Sequence, residues 1–289
     1  MLIPEYENYQ EGKKHGRNAF PFDIYPCTIP QDFQMVPIHW HEDMEIVYVK
    51  KGSGIISVNL TDYEVYAGSF VVILPGQLHS IATKNLNRME YENIIFSTDL
   101  LQSKLFDISE TEYLMPFFAG NIPIPVHFYK GVPQYEEIVS LLDNCDKLGT
   151  EKPEGSELLI KAHLLTIIFL LINKCRLSVS RIIKPKNLDR MKTALKYIEL
   201  HYNEKITIDE IAKETGCAPS YFMKIFKKNL GVPFIEYLND YRLIMGARLL
   251  TETSKSIMEI SYLIGFDNLS YFNRCFKKKY NMSPGKFRK

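Results

Sequence analysis

Four residues in the first third of the chain have side chains that can act together. Ile38-His39-Trp40-His41 is followed by Glu45 and then Gly52, the spacing H-x-H-x3-E-x6-G. A second block, Gly68-x5-Leu74-Pro75-Gly76-x2-His79, brings a third histidine. Three imidazoles and a carboxylate can hold one divalent cation. They can equally exchange hydrogen bonds with the hydroxyls of an organic ligand, or form a paired polar core. Two histidines two apart on a strand point to one face, which any shared ligand requires. Trp40, Tyr48 and Tyr66 lie on the same stretch and can stack on a ring, although core packing is the commoner role of strand aromatics. His163 stands alone in an apolar helical segment and reads as a core or interface residue.

A second set of residues occurs twice. Thr207-Ile-Asp-Glu210 and Ser256-Ile-Met-Glu259 are capping boxes 49 residues apart. Each opens a short helix with an internal Ile (Ile211, Ile260) and stops at a glycine (Gly216, Gly265) suited to a tight C-terminal turn. Ser220-Tyr-Phe-Met-Lys-Ile-Phe-Lys-Lys228 and Ser270-Tyr-Phe-Asn-Arg-Cys-Phe-Lys-Lys278 follow at an offset of 50, so the second turn is one residue longer. This predicts two helix-turn-helix units, 207–228 and 256–278. In the second helix of the first unit, Phe222, Ile225 and Phe226 pack inward. Ser220, Met223, Lys224 and Lys227 face outward. The outward set of the second unit is Ser270, Asn273, Arg274 and Lys277. Small, polar and cationic side chains on an exposed helix suit base edges and phosphates in a major groove. A Lys/Arg stripe alone is usually a solvated face, but two copies with matched caps, glycines and aromatics argue against that reading.

The elements that must position these groups divide the chain in two. Residues 20–100 read as short strands rich in Val, Ile, Tyr and Phe and broken by Gly and Pro, a barrel or two-sheet pattern. After Pro133 the spacing turns helical, and the segment 156–177 is apolar on more than one face, so it is either deeply buried or part of a subunit interface. From Leu188 onward every segment reads as helix. Between the two units, Phe234, Tyr237, Leu238, Tyr241, Met245 and Leu249 form one apolar face of a rod of about 30 Å. Successive major grooves on one face of a duplex lie ~34 Å apart. The domains expected are therefore a β domain over 1–130, a helical dimerisation segment over 131–178, a linker at 179–187 and an all-α domain over 188–289.

Charge follows the same division. Residues 187–289 carry 18 Lys/Arg against 11 Asp/Glu, and residues 1–186 carry 17 against 23, so a net +7 half joins a net −6 half. A basic half suits a polyanionic partner. The five cysteines are scattered without a CxxC pair, which fits a reducing compartment and no disulfide framework. The N-terminus shows no apolar signal segment, and the longest apolar run, Leu164 to Ile172, falls short of a membrane span. A cytoplasmic protein without a membrane partner is expected.

The C-terminal stretch resembles the DNA-binding domain of the AraC/XylS family of bacterial transcription regulators. The resemblance rests on ITIDEIAKETG with SYFMKIFKK, and on the run from Gly265 to Arg288. It implies double-stranded DNA as partner, read by Ser220, Met223, Lys224 and Lys227 and by Ser270, Asn273, Arg274 and Lys277. Met223 departs from the polar reader common at its position. The histidine blocks resemble the two motifs of the cupin fold, departing at Leu74 and Thr83, where Pro and Asn are usual. In metal-binding cupins His39, His41, Glu45 and His79 would hold the ion. In sensor domains fused to AraC-type DNA-binding domains the barrel takes a small-molecule effector, typically a sugar or related metabolite. The resemblance therefore implies a ligand-responsive regulator, an activator in most relatives, with an effector site around His39, His41, Glu45, His79, Trp40 and Tyr48 and no metal or cofactor. A homodimer and contact with RNA polymerase belong to the same expectation. The alternative is a metal-dependent cupin enzyme carrying a DNA-binding appendage, for which the four ligands are the sole support. The effector, the operator and the sign of regulation are not written in the sequence.

Overall fold

A computed structural model describes residues 19–32, 35–84, 87–102, 107–175 and 187–288. These belong to two compact units, one ending and the other beginning within the undescribed stretch 176–186. The linker expected at 179–187 therefore lies outside the described residues, apart from Asn187.

The first unit is built from eight antiparallel strands: β1 (Phe22–Ile29), β2 (Met35–His39), β3 (Met44–Val58), β4 (Thr61–Tyr66), β5 (Phe70–Ile73), β6 (His79–Thr83), β7 (Met89–Phe96) and β8 (His127–Phe128). One strand organises them all. The first half of β3 lies in the path β1-β7-β3-β5-β8, pairing Met44 with Phe96 and Glu45 with Ile73. Its second half crosses to another set of partners, β4 and β6, and β6 in turn pairs β2. The crossing falls at Gly52, whose positive φ of 79° lets the strand turn and where a Cβ would collide with the Arg88 carbonyl.

Strand alternation then divides β3 by face. Met44, Ile46 and Tyr48 join Phe70, Val72, Ile94 and Phe96 in a core covered by three helices, α1 (Met115–Phe118), α2 (Tyr135–Glu151) and α3 (Ser156–Lys174). Glu45, Val47 and Val49 point the other way, between the two sets of strands. Helix α3 is buried along one face and open along the other. Ile160, Leu164, Ile167, Ile168 and Leu171 are buried in the core. Leu158, Leu165 and Phe169, spaced along the opposite face, are exposed at 77%, 39% and 56%. Taken whole, α3 is long and apolar enough to cross a membrane by length and composition, but its buried face is part of this core.

The second unit is helical: α4 (Leu188–His201), α5 (Ile208–Glu214), α6 (Pro219–Leu230), α7 (Phe234–Glu252), α8 (Ile257–Leu263), α9 (Leu269–Tyr280) and α10 (Pro284–Phe287). Helix α7 departs from the single apolar face expected of it. Phe234, Tyr237, Leu238 and Tyr241 are buried, but further along Leu243, Ile244, Ala247 and Leu250 are buried and Met245 and Leu249 only partly so. The reason is a change of neighbour. The N-terminal half packs against α6 through Phe222 and Phe226, whose rings lie 5.6 Å from that of Phe234. The C-terminal half packs against α8 and α9, so Leu243, Ala247 and Leu250 join Ile260, Ile264, Phe272 and Phe276. Gly246 sits at that contact, where a Cβ would lie 2.7 Å from Ile264 Cδ1 and 3.6 Å from Phe272 Cε2.

Candidate functional site

In the second unit, local sequence sets up the geometry. Thr207 and Ser256 cap α5 and α8. Each hydroxyl accepts from the N3 backbone amide, and each N3 carboxylate, Glu210 and Glu259, accepts from the cap amide at 2.7 Å. The turns follow with Gly216 at φ 64° and Gly265 at φ 85°. They span residues 215–218 and 264–268, so the one-residue insertion is absorbed between α8 and α9. Beyond them, α6 and α9 bury Phe222, Ile225 and Phe226, and Phe272, Phe276 and Tyr280.

The opposite faces of these helices remain open. Ser220, Met223, Lys224 and Lys227 are exposed on α6. Ser270, Arg274 and Lys277 are exposed on α9, and Asn273 is half-buried. Each helix thus presents its cationic side chains on the side away from its aromatic anchor. At the start of α9 lies a notch of about 420 Å³ lined by Asn239, Arg242, Asn268, Ser270, Tyr271 and Arg274, among others. Arg274 lies over the Tyr271 ring with its guanidinium carbon 5.2 Å from the centroid. Tyr271 in turn accepts a 3.1 Å hydrogen bond from Asn239 of α7.

Two arginines that sequence reasoning left out have structural work here. Arg242 donates to the carbonyls of Tyr202 and Glu204, each at 2.7 Å, and ties the end of α4 to α7. Arg288 donates to the carbonyls of Leu250 and Lys255, and so holds the chain's end against the end of α7. Both arginines end on carbonyls at or just beyond a helix C-terminus, where free acceptors await donors, but Arg242 itself stands in the middle of α7 and its spacing gives no cue to the role.

In the first unit the structure gathers His39, His41, Glu45 and His79. Register does much of this, because His39 on β2 is the direct cross-strand partner of His79 on β6. The turn before β6 is fixed by Gln77, whose side chain accepts from the Leu74 amide, while the Gly76 amide donates to the His41 carbonyl. All four side chains are buried, at 5%, 4%, 1% and 0% exposure. One donor atom from each lies within 4.8 Å of the others. Each imidazole points Nδ1 at a backbone carbonyl: His39 at Pro37 (2.9 Å), His41 at Asp43 (3.0 Å) and His79 at Gln77 (2.9 Å). A carbonyl only accepts, so each Nδ1 donates there, and the Nε2 atoms of His41 and His79 are turned toward Glu45. His41 Nε2 and His79 Nε2 lie 2.8 and 3.1 Å from Glu45 Oε2. Burial alone would raise the Glu45 carboxyl, but His79 and His41 outweigh it and hold the group well below the usual carboxylate range. Burial, reinforced by His79 and His41, lowers His39 well below the usual imidazole value. The set is thus a carboxylate and imidazole nitrogens aimed at one point, the donor chemistry of a divalent metal ligand set.

Two further residues expected at this site do not join it. Tyr48 stands on the other face of β3 from Glu45, in the helix-covered core, with Lys50 Nζ 4.2 Å above its ring. The cause is the two-residue period: an odd separation from Glu45 reverses the face. Trp40 is half-buried, and by the same alternation extended backbone aims it away from His39 and His41. Tyr66 is exposed, its ring 6.2 Å from that of His127. His163, on α3, is remote from the four in sequence and element.

With these two sites in hand, known proteins supply the context. Residues 211–289 match the family described as a helix-turn-helix domain, and residues 28–168 match the AraC-like ligand binding domain. An HTH-type transcriptional regulator of Bacillus subtilis, YdeC, is 30% identical over 291 residues, covering 98% of this chain and 97% of that protein. The HTH-type transcriptional activator RhaS of Citrobacter koseri is 24% identical, covering 93% and 94% of the two chains. RhaR of Mannheimia succiniciproducens, also named as an activator, is 23% identical over 87% of each. A ligand-binding antiparallel-sheet domain ahead of a doubled helix-turn-helix defines a DNA-binding transcription regulator rather than an enzyme. The chain belongs to the AraC family of these regulators.

Proposed function

We propose that this regulator is a cytoplasmic, effector-responsive activator of transcription that reads an asymmetric DNA site through both helix-turn-helix units. The observation that carries this is the pair of capped units whose cationic helix faces stand open, each backed by a buried aromatic anchor. Ser220, Met223, Lys224 and Lys227 meet one groove segment. Ser270, Asn273, Arg274 and Lys277 meet the next. Arg274 is the strongest candidate base reader, since a guanidinium can bond guanine in a bidentate way. The effector proposed is a small polar metabolite, a sugar or a relative of one, received by the β domain around His39, His41, Glu45 and His79. Two copies pair through the exposed face of α3, which doubles the DNA contact, and DNA-bound dimers engage RNA polymerase. For the effector to act, it must bind one arrangement of the dimer better than another.

The direct test selects duplexes from randomised DNA with the full-length chain, then measures gel-shift affinities for the enriched sequence. Arg274→Ala and Lys224→Ala should each weaken specific binding by ~1–3 kcal/mol, roughly 5- to 150-fold. If neither changes affinity, the faces named are not the reading faces.

A further inference from the structure

We infer that Asn239 of α7 and Tyr271 of α9 are positioning residues for Arg274, so that base discrimination by α9 is set in part from the connecting helix. This rests on the α9 reading face proposed above and adds residues that lie outside it. A chain of contacts leads from the core of the unit to the Arg274 guanidinium. Phe266, in the turn before α9, is buried, and the Arg242 guanidinium carbon lies 5.9 Å from its ring centroid. Arg242 is itself held by the carbonyls of Tyr202 and Glu204. The Tyr271 ring lies 5.8 Å from that of Phe266, and Arg274 lies over the Tyr271 ring at 5.2 Å. Tyr271 is thus the link between a fixed wall and an exposed cation.

Three bonds hold that link. The Tyr271 amide donates to the Asn268 side chain at 2.9 Å. The Tyr271 hydroxyl accepts from Asn239 Nδ2 at 3.1 Å and also bonds Cys275, one turn along α9. The first and third come from α9 and its cap, whereas the second comes from α7, the helix that both units share. Arg274 and Tyr271 are three apart on α9, so they share a face. A cation–π contact at an exposed site is weak, and it orders a guanidinium only if the ring beneath stays still. An aromatic side chain on a helix has two common χ1 wells. The bond to Asn239 selects one of them, because the hydroxyl moves several ångströms between the two. With the ring fixed, Arg274 has given up part of its freedom before it meets a base, and that part no longer opposes binding. Asn239 is half-buried and acts through Tyr271, without any contact of its own to DNA.

The test first finds the base pair that Arg274 discriminates. Gel-shift affinities of the full-length chain and of Arg274→Ala are measured on the selected duplex and on duplexes changed one base pair at a time. Where Arg274→Ala loses discrimination, Asn239→Ala and Tyr271→Phe should each lose about 2- to 12-fold, the range expected for ordering one long side chain at an interface. Tyr271→Phe keeps the ring, so its loss reports the hydroxyl bonds. Affinity of Asn239→Ala for a scrambled duplex, and its slope against salt, should match wild type, because non-specific binding draws on phosphate contacts. In an Arg274→Ala background Asn239→Ala should cost nothing further. An equal loss on every duplex would mean that Asn239 touches phosphate or supports the fold at large, and would overturn its positioning role. Full discrimination in Asn239→Ala, or an undiminished loss in the Arg274→Ala background, would overturn it too. Should Asn239→Ala fail to fold in urea melts, Tyr271→Phe decides. If Arg274→Ala discriminates every base pair as wild type does, the reading face proposed for α9 falls and the positioning role with it, a result distinct from loss of the positioning role alone.

Discussion

Gly246 offers a quantitative test of how the second helix-turn-helix unit is packed. An alanine here would gain ~1 kcal/mol, because glycine inside a helix loses more conformational freedom on folding. The new methyl, however, would lie 2.7 Å from Ile264 Cδ1 and 3.6 Å from Phe272 Cε2, and both neighbours are fully buried. Forcing a methyl into a filled core costs about 1–3 kcal/mol. Gly246→Ala alone should therefore destabilise by about 0–2 kcal/mol. Ile264→Val removes the obstructing Cδ1 and by itself costs ~0.5–1.5 kcal/mol. Together the new methyl fills the space the old one leaves, and the helix gain remains. The pair should be about as stable as wild type or more so, a favourable coupling of roughly 1–3 kcal/mol. Urea melts of the full chain give the numbers. Far-UV ellipticity weights the helical unit, and Trp40, the sole tryptophan, reports the β domain and should keep its midpoint in all variants. Additivity of the two changes within about 0.5 kcal/mol would mean that α7 and α8 do not meet through Gly246 and Ile264, and the account of why α7 changes its buried face would be wrong.

The remaining predictions concern the caps and α3. Thr207→Ala and Ser256→Ala should each cost about 1 kcal/mol of helical-unit stability by urea melt. The Thr207 and Ser256 hydrogen bonds hold Glu210 and Glu259 below their usual range. Their contribution is therefore present above the unfolded carboxylate value and is lost as pH falls through the lower folded value. In Glu259→Gln this acid-side loss should be reduced, which melts at a series of pH values would detect. Phe169→Asp with Leu165→Asp should shift the chain from dimer to monomer in sedimentation equilibrium without lowering its thermal midpoint, because both side chains are exposed. Unchanged mass would place the dimer contact elsewhere.

What the sequence makes legible here is what is local. A capping box, a glycine turn and an aromatic anchor each lie within a few residues, and both units carry them where the spacing indicates. The convergence of the histidines is half legible, since the H-x-H pair shares a face by strand period alone. The pairing of His39 with His79 depends on register between strands that sequence separates. The carbonyls that fix the imidazole tautomers belong to Pro37, Asp43 and Gln77, whose side chains give no hint of the role. Tyr48 is an error of face rather than of place: proximity to Glu45 along the strand suggested a shared site, but the two-residue period sends the side chain to the helices. Helix α7 is an error of neighbour. A periodic pattern reports one buried face, and a helix that packs on α6 and then on α8 and α9 has two.

The two helix-turn-helix units are unequal in how firmly they hold the side chains proposed to read DNA. Helix α9 begins at Asn268, whose side chain accepts from the Tyr271 amide at 2.9 Å, while α6 begins at Ala218 with no side-chain cap. In α9 the proposed reader Arg274 lies across Tyr271, and Tyr271 is braced by Asn239. In α6 the equivalent Tyr221 reaches Asn187 at 3.3 Å, and the position matching Asn273 is the exposed, apolar Met223. A guanidinium held in place gives up less freedom when it meets a base than a free lysine does. The physical expectation is that α9 supplies most of the base discrimination. Helix α6, with Lys224, Lys227 and Lys228 in a row, supplies mainly phosphate contacts, which strengthen binding to any sequence.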